Sequence, residues 1–334
     1  MEGVNGVDLG RRLRYSQHDC GAGCPAEDPM MRLARFEYDG KIGAGVLLDG
    51  DLVAPLNGGD IVALLSDAAM RDEARRVAAA ATRLLPLSDV HLLAPLANPP
   101  KFIGVGFNSP DHAKEASTGQ MSPRRAAWVK ASEHLRQAFP SPHYPVMFNK
   151  QTSCVSGPFD PIWAPHDATT LDYEGEVALV IGRRLRRASE ADAAAAIAGY
   201  TVTNDVSVRE WQLDTSQMWL GKSFETHGPI GPWVVTADEV DDAKLRIRTW
   251  VNGELRQDGQ LSDQTLSPAR IVALISTLCT LEPGDLVATG TPAGIGAATD
   301  NFLTVGDIVR VEVSGIGCIE NVVIDEPVPG AAAR

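Results

Sequence analysis

The chain has no apolar run near the roughly 20 residues that a membrane helix needs, and no apolar segment near its start of the kind a secretory signal carries. It is therefore expected in the cytoplasm, away from the bilayer. Positive charge is scarce too. Lys and Arg total 30 against 43 Asp and Glu, a formal charge of −13, whereas nucleic acid or an anionic membrane would select a basic face. Neither is expected as a partner, although a local cluster of Lys, Arg and metal can still bind a small anion. The five cysteines, Cys20, Cys24, Cys154, Cys279 and Cys318, are an odd, scattered set and no disulfide framework. Cys20 and Cys24 have the spacing of half a zinc site, but no second pair follows.

What is present is enough to bury a substantial core: 334 residues, 44% apolar and 22% charged, sufficient for one large or two modest domains. Residues 1–29 are Gly-rich and polar without periodicity and are expected as a disordered extension. Residues 30–95 are expected as a small N-terminal α/β domain. Between Leu33 and Pro55, short β-type runs are punctuated by the hairpin dipeptides Asp39-Gly40 and Asp49-Gly50, which predicts a small antiparallel sheet. A helical stretch should follow from about Ile61 to Leu85. Prolines between Leu93 and Pro100 mark a linker into a larger unit, residues 101–328. In that unit Ser122-Pro123 opens an amphipathic helix carrying Trp128, Ala131, Leu135 and Ala138; static packing and a lid over residues 117–145 are both open readings. Ser189-x-x-Asp192 caps a short Ala-rich helix, and apolar runs near Val177, Val202, Trp233, Ile247, Leu286 and Val311 read as strands. A long helix is expected from Ser267 to about Leu281. Many strands and few helices make the fold α+β and β-rich, not doubly wound.

Three acids carry the chemistry. In LDYEGEVALVIG, Glu174 and Glu176 stand two apart at the mouth of an apolar run, so on a strand they share a face. Asp205 closes a second such run, IAGYTVTND. Like charges at that spacing repel, and with no Cys or His at ligand spacing the economical partner is a hard divalent cation, Mg²⁺ or Mn²⁺. The plainer alternative is a wet edge strand pairing with Arg183 and Arg184. His112 and Glu115, three apart at a helix start, can act as a general-base pair or as a surface ion pair. Lys222, in WLGKSFETHG, can steady an oxyanion or protonate a carbanion, or be a solvated lysine. Arg209 and Gln212, at i and i+3, can clamp a carboxylate. The glycine-rich ATGTPAGIG, with Thr289 and Thr291, offers backbone N–H groups to an anionic substrate or serves as a structural loop. Gly104-x-Gly106 is not a dinucleotide fingerprint, because the third glycine is missing.

LDYEGEVALVIG, GYTVTNDVSVREWQ, GKSFETHGPIGPWVV, VNGELRQDGQ and ATGTPAGIG, in this order, resemble the signatures of the fumarylacetoacetate hydrolase family over roughly residues 101–326. The resemblance implies a mixed β-sandwich roll, usually paired as a homodimer, acting on 2-oxo acids or 1,3-dicarbonyl compounds. It makes Glu174, Glu176 and Asp205 the metal ligands, Lys222 the active-site lysine, and His112 with Glu115 the water-activating pair. Arg209, Gln212 and Thr291 take substrate-contacting positions, and Lys150 is placed with them. The expected cofactor is Mg²⁺ or Mn²⁺, with Ca²⁺ able to replace it in crystals. The expected reaction is metal-dependent cleavage of a C–C bond in an acylpyruvate or related acid, by way of an enolate. Alternatives are an oxaloacetate-like decarboxylase, an isomerase or hydratase of aromatic catabolism, and, least favoured, a non-catalytic metal-binding scaffold. Two departures bear on the substrate: Asn108-Ser109-Pro110-Asp111-His112 replaces the usual N-Y-x-x-H, and the stretch from Glu115 to Phe148 is longer than the usual connection.

Overall fold

A computed structural model describes residues 30–115 and 145–327, except 50, 59 and 216, together with 123, 126, 127 and 130. The expected extension, the Cys20–Cys24 pair, the lid and most of the helix after Ser122 lie outside the described residues.

The run Val177–Ile181 is apolar at every position because it has two cores to serve. Its strand, Gly175–Ile181, is buried throughout. Val177, Leu179 and Ile181 point into one hydrophobic cluster, and Val180 into another, as the alternation of a pleated strand requires. The strand lies inside a mixed sheet whose edge-to-edge order is Leu85–Pro86, Leu52–Pro55, Lys41–Leu48, Arg32–Tyr38, Gly228–Thr236, Ile197–Asn204, Gly175–Ile181, Leu286–Ala288, Phe102–Gly106 and Val146–Lys150. Most neighbours are antiparallel; Leu286–Ala288 and Phe102–Gly106 run parallel. A second, five-stranded sheet, ordered Glu254–Gln260, Arg246–Val251, Ile308–Val313, Gly317–Asp325 and Ile162–Ala164, closes one face. Its Ile247, Val309, Val311, Val313 and Ile319 share a core with Val177, Leu179 and Val202. On the opposite face Ile61, Leu64 and Leu65 pack with Leu33, Val46, Val180 and Val234.

All six apolar runs read as strands are strands. Ser189 caps Glu190–Ala194 by accepting from Asp192 N–H, and Ser267 caps Pro268–Leu278. Three boundaries differ from expectation. The stretch from Ile61 is two helices, Ile61–Ser66 and Ala68–Ala79, because the Asp67 carboxylate caps the second by accepting from the N–H groups of Ala69 and Met70; Leu85 belongs to a strand. The helix from Ser267 stops at Leu278, since Leu281 is drawn into paired backbone bonds with Leu185, at 3.0 Å each way. The N-terminal hairpins are not a separate sheet. Arg32 and Leu33 pair with Val235 and Val234, so the first strands continue the main sheet.

Candidate active site

Antiparallel pairing brings the three acids together. Gly175 lies opposite Asn204, so Glu174, just before one strand, meets Asp205, just after the other, and Asp205 N–H donates to Glu174 O at 2.8 Å. Glu174, Glu176 and Asp205 are 6%, 2% and 0% exposed, and one carboxylate oxygen from each falls within 4.8 Å of the others. The wet-edge alternative fails: Arg183 and Arg184 pair with Asp192 and Glu282 instead.

Their cations come from elsewhere. Lys222 Nζ donates to Glu174 at 2.7 Å and to Asp205 at 2.8 Å, with the Phe148 ring centred 4.9 Å away. It is buried, not solvated. Arg209 donates from Nη1 to Glu174 at 2.6 Å and to Gln212 at 2.9 Å, and from Nε to Asp172 at 2.8 Å. Lys150 does not line the cleft as a substrate contact. It is buried behind Asp205, donating to its Oδ1 at 2.6 Å and to the carbonyl oxygen of Lys222, because its strand sits at the sheet edge with that side chain turned inward.

The electrostatics follow from burial. Burial alone would raise the Glu174 carboxyl, but Lys222 and Arg209 hold it below the usual carboxylate range. Glu176 has no cation in direct contact among the described residues: burial first, then the charges of Asp205 and Glu174, push it well above that range, against the weaker opposing pull of Gly290 N–H, at 2.6 Å, and the Lys222 charge. A buried set of hard oxygen donors with one carboxylate short of positive charge suits Mg²⁺ or Mn²⁺. Burial works against the Lys150 ammonium, but the charge and hydrogen bond of Asp205, together with the neighbouring Cys154 and Glu174, raise it above the usual lysine range and keep it charged.

The small cleft beside these groups is lined by the polar side chains of Glu174, Arg209, Gln212, Lys222, Thr291 and His112 and by the apolar ones of Val105, Phe107, Phe148 and Met218. His112 lies on the short helix Pro110–Glu115, with Nδ1 3.4 Å from Glu115 Oε2 and the Phe107 ring stacked at 5.8 Å. It is 5% exposed, so the pair is no surface ion pair. Thr291 donates to Gly175 O at 3.0 Å and accepts from Gln257 at 2.7 Å.

The glycine-rich loop does not present its N–H groups to a substrate in the way expected of an anion cradle. Several go to the protein's own carboxylates: Gly290 to Glu176, Gly294 to Glu115 at 3.0 and 3.2 Å, and Gly296, with Ala297 just beyond the loop, to Asp172 at 2.7 and 2.8 Å; Thr289 N–H goes to the carbonyl oxygen of Val177. Asp172, which the sequence reading passed over, thereby fixes Arg209. Its signal was there, since Asp172, Glu174 and Glu176 repeat every second residue.

Residues 101–324 match the family model described as Fumarylacetoacetate (FAA) hydrolase C-terminal, and residues 31–95 the model described as Rv2993c-like, N-terminal. Over 246 residues, 72% of this chain and 70% of the relative, the chain is 38% identical to the mitochondrial oxaloacetate tautomerase fahd2 of Xenopus laevis. The maleylpyruvate hydrolase of Sphingobium sp. SYK-6, solved with manganese(II) and pyruvate, is similar at TM-score 0.69 and 28% identity, over 89% of this chain and 100% of that one. A 2-hydroxyhepta-2,4-diene-1,7-dioate isomerase from Mycobacterium marinum is similar at TM-score 0.68 and 31% identity, again over 89% and 100%. Sequence and fold agree: the chain belongs to the fumarylacetoacetate hydrolase family of enzymes.

Proposed function

We propose that this enzyme is a divalent-metal-dependent hydrolase that cleaves the C–C bond of an acylpyruvate or a related 2-oxo acid. The charge of the buried cluster carries this reading. Four buried carboxylates, Asp172, Glu174, Glu176 and Asp205, face three buried cations, Lys150, Arg209 and Lys222, leaving one negative charge once Glu176 is ionised, as it would be on binding a metal. A divalent cation would turn that into one positive charge, and the anionic head of a 2-oxo acid would cancel it. Held by Glu174, Glu176 and Asp205, Mg²⁺ or Mn²⁺ would serve as a Lewis acid for the 2-oxo acid head and lower the cost of negative charge beside its carbonyl.

The remaining steps belong to side chains. Arg209 lines the cleft with an Nη2 that has no hydrogen-bond partner among the described residues, a donor suited to a substrate carboxylate. Gln212 and Thr291 flank it. His112 takes a proton from water while Glu115 steadies the imidazolium, and the water oxygen attacks the distal carbonyl carbon. The C–C electron pair passes to C3 of the pyruvyl fragment, which takes up a proton with Lys222 assisting, the proton that His112 removed from water restoring the balance. One water is consumed, and a carboxylic acid and pyruvate are formed. Similarity to a maleylpyruvate hydrolase supports this reading.

A second reading is tautomerisation, isomerisation or decarboxylation of a 2-oxo acid. The placement of Lys222 Nζ between Glu174 and Asp205 favours it, because a lysine there can move a proton without an attacking water. Similarity to an oxaloacetate tautomerase and to an isomerase points the same way. NMR of the enzyme with Mn²⁺-free Mg²⁺ buffer and either acetylpyruvate or oxaloacetate separates the two. Acetate and pyruvate released from acetylpyruvate faster than oxaloacetate is tautomerised or decarboxylated supports the hydrolase; the reverse order moves the second reading to first place.

A further inference from the structure

We propose that Gly294 and Tyr173 are positioning residues for the His112–Glu115 pair, and that the segment carrying Gly290, Gly294, Gly296 and Ala297 holds this pair in register with the carboxylate cluster. The inference rests on the hydrolase reading, in which the pair activates water. A 3.4 Å separation between His112 Nδ1 and Glu115 Oε2 is long for a hydrogen bond, so the pair's geometry depends on where the carboxylate is held. Gly294 N–H holds it, reaching both oxygens at 3.0 and 3.2 Å. Gly294 is held in turn from the other side, where the buried Tyr173 hydroxyl donates to its carbonyl oxygen at 2.9 Å.

Two features make this position selective. Gly294 has φ +107°, a conformation that L side chains rarely adopt, and a Cβ there would run into the carbonyl oxygen of Arg256. Tyr173 sits between Asp172 and Glu174, so its hydroxyl ties the ligand-bearing chain directly to the loop that orients Glu115. The same loop holds Glu176 through Gly290 and Asp172 through Gly296 and Ala297. Three carboxylates with three tasks therefore hang from one stretch of backbone: orienting the base, completing the acidic cluster and fixing Arg209. A shift of that backbone moves them together, which suits a reaction whose water and 2-oxo acid head must be held at a set separation.

A double-mutant cycle tests this, with acetylpyruvate as substrate and Mn²⁺ affinity measured alongside. Tyr173→Phe removes one hydroxyl and keeps the ring. It is expected to lower kcat about three- to tenfold, with KM and Mn²⁺ affinity changed by less than about twofold. In a Glu115→Gln background the same substitution should change kcat by less than about twofold, because its effect runs through the carboxylate. Gly294→Ala is expected to show the same dependence with a larger loss; if it fails to fold, Tyr173→Phe decides. Equal losses in both backgrounds, or a loss of Mn²⁺ affinity matching the loss of kcat, would overturn the positioning role while leaving the hydrolase reading intact. Full hydrolysis by His112→Ala would instead overturn the water-activating pair itself, and this inference with it.

Discussion

Glu176 is 2% exposed and receives one backbone N–H, from Gly290, while burial and two neighbouring carboxylates work against its charge. Glu176→Gln keeps the shape and discards the charge, so Mn²⁺ affinity should fall by at least about tenfold. Titration calorimetry reads this directly, and unchanged affinity would move the ion away from this cluster. His227 illustrates the opposite cost. Its Nε2–H donates to Trp163 O at 2.8 Å, its Nδ1 has no hydrogen-bond partner among the described residues, and burial lowers its pKa from 6.5 to about 3. The unfolded chain therefore takes up the proton first. The neutral ring's contribution is complete above about pH 6.5 and is lost as the pH falls toward 3, by about 2 kcal/mol at pH 5. Urea midpoints measured from pH 7.5 to 5 should drop less steeply in His227→Phe than in the wild type; parallel slopes would show that His227 is protonated in the fold. The clustering of the acids could be read from the sequence because charge at the end of an apolar run is conspicuous, whereas Lys222, flanked by Gly and aromatic residues, could equally have been a solvated lysine. The task of Lys150 could not be read there, since only the folded chain shows its ammonium facing Asp205 and not the cleft.

At the level of elements, the strand Gly175–Ile181 has room for no side chain at its first position. A Cβ on Gly175 would meet Thr249 Oγ1 and would lie 2.8 Å from Val311 Cγ1, both on the facing sheet. Gly175→Ala should destabilise by about 1–3 kcal/mol through overpacking, read as a lower denaturant midpoint with an unchanged slope. An unaltered midpoint would mean that the two sheets yield there. The strand itself was legible because apolar residues at every position are the mark of burial on both faces. The pairing of Arg32 and Leu33 with Val235 and Val234 was not, since those partners are some two hundred residues apart in sequence and nothing local records the join. The Ile61–Leu85 stretch misled for a different reason: Asp67 lies inside an otherwise helical pattern, and its capping bonds, not the hydrophobic spacing, decide where one helix ends and the next begins. The glycine-rich loop was visible as a source of N–H groups, but which anions they would meet depended on Glu115 and on the nearby pair Asp172 and Glu176 arriving from two other parts of the chain.

For the molecule as a whole, a formal charge of −13 would repel an anionic substrate unless the cleft reverses that sign locally. The buried cluster does so only when a divalent cation joins Lys150, Arg209 and Lys222. Metal and 2-oxo acid should therefore bind as linked ligands, each strengthening the other by the same factor. The most direct measurement is calorimetric titration of pyruvate into the enzyme with and without saturating Mn²⁺. The account predicts that pyruvate binds at least about tenfold tighter when Mn²⁺ is present, and that this gain disappears in Glu176→Gln; equal pyruvate affinity with and without the metal would contradict it.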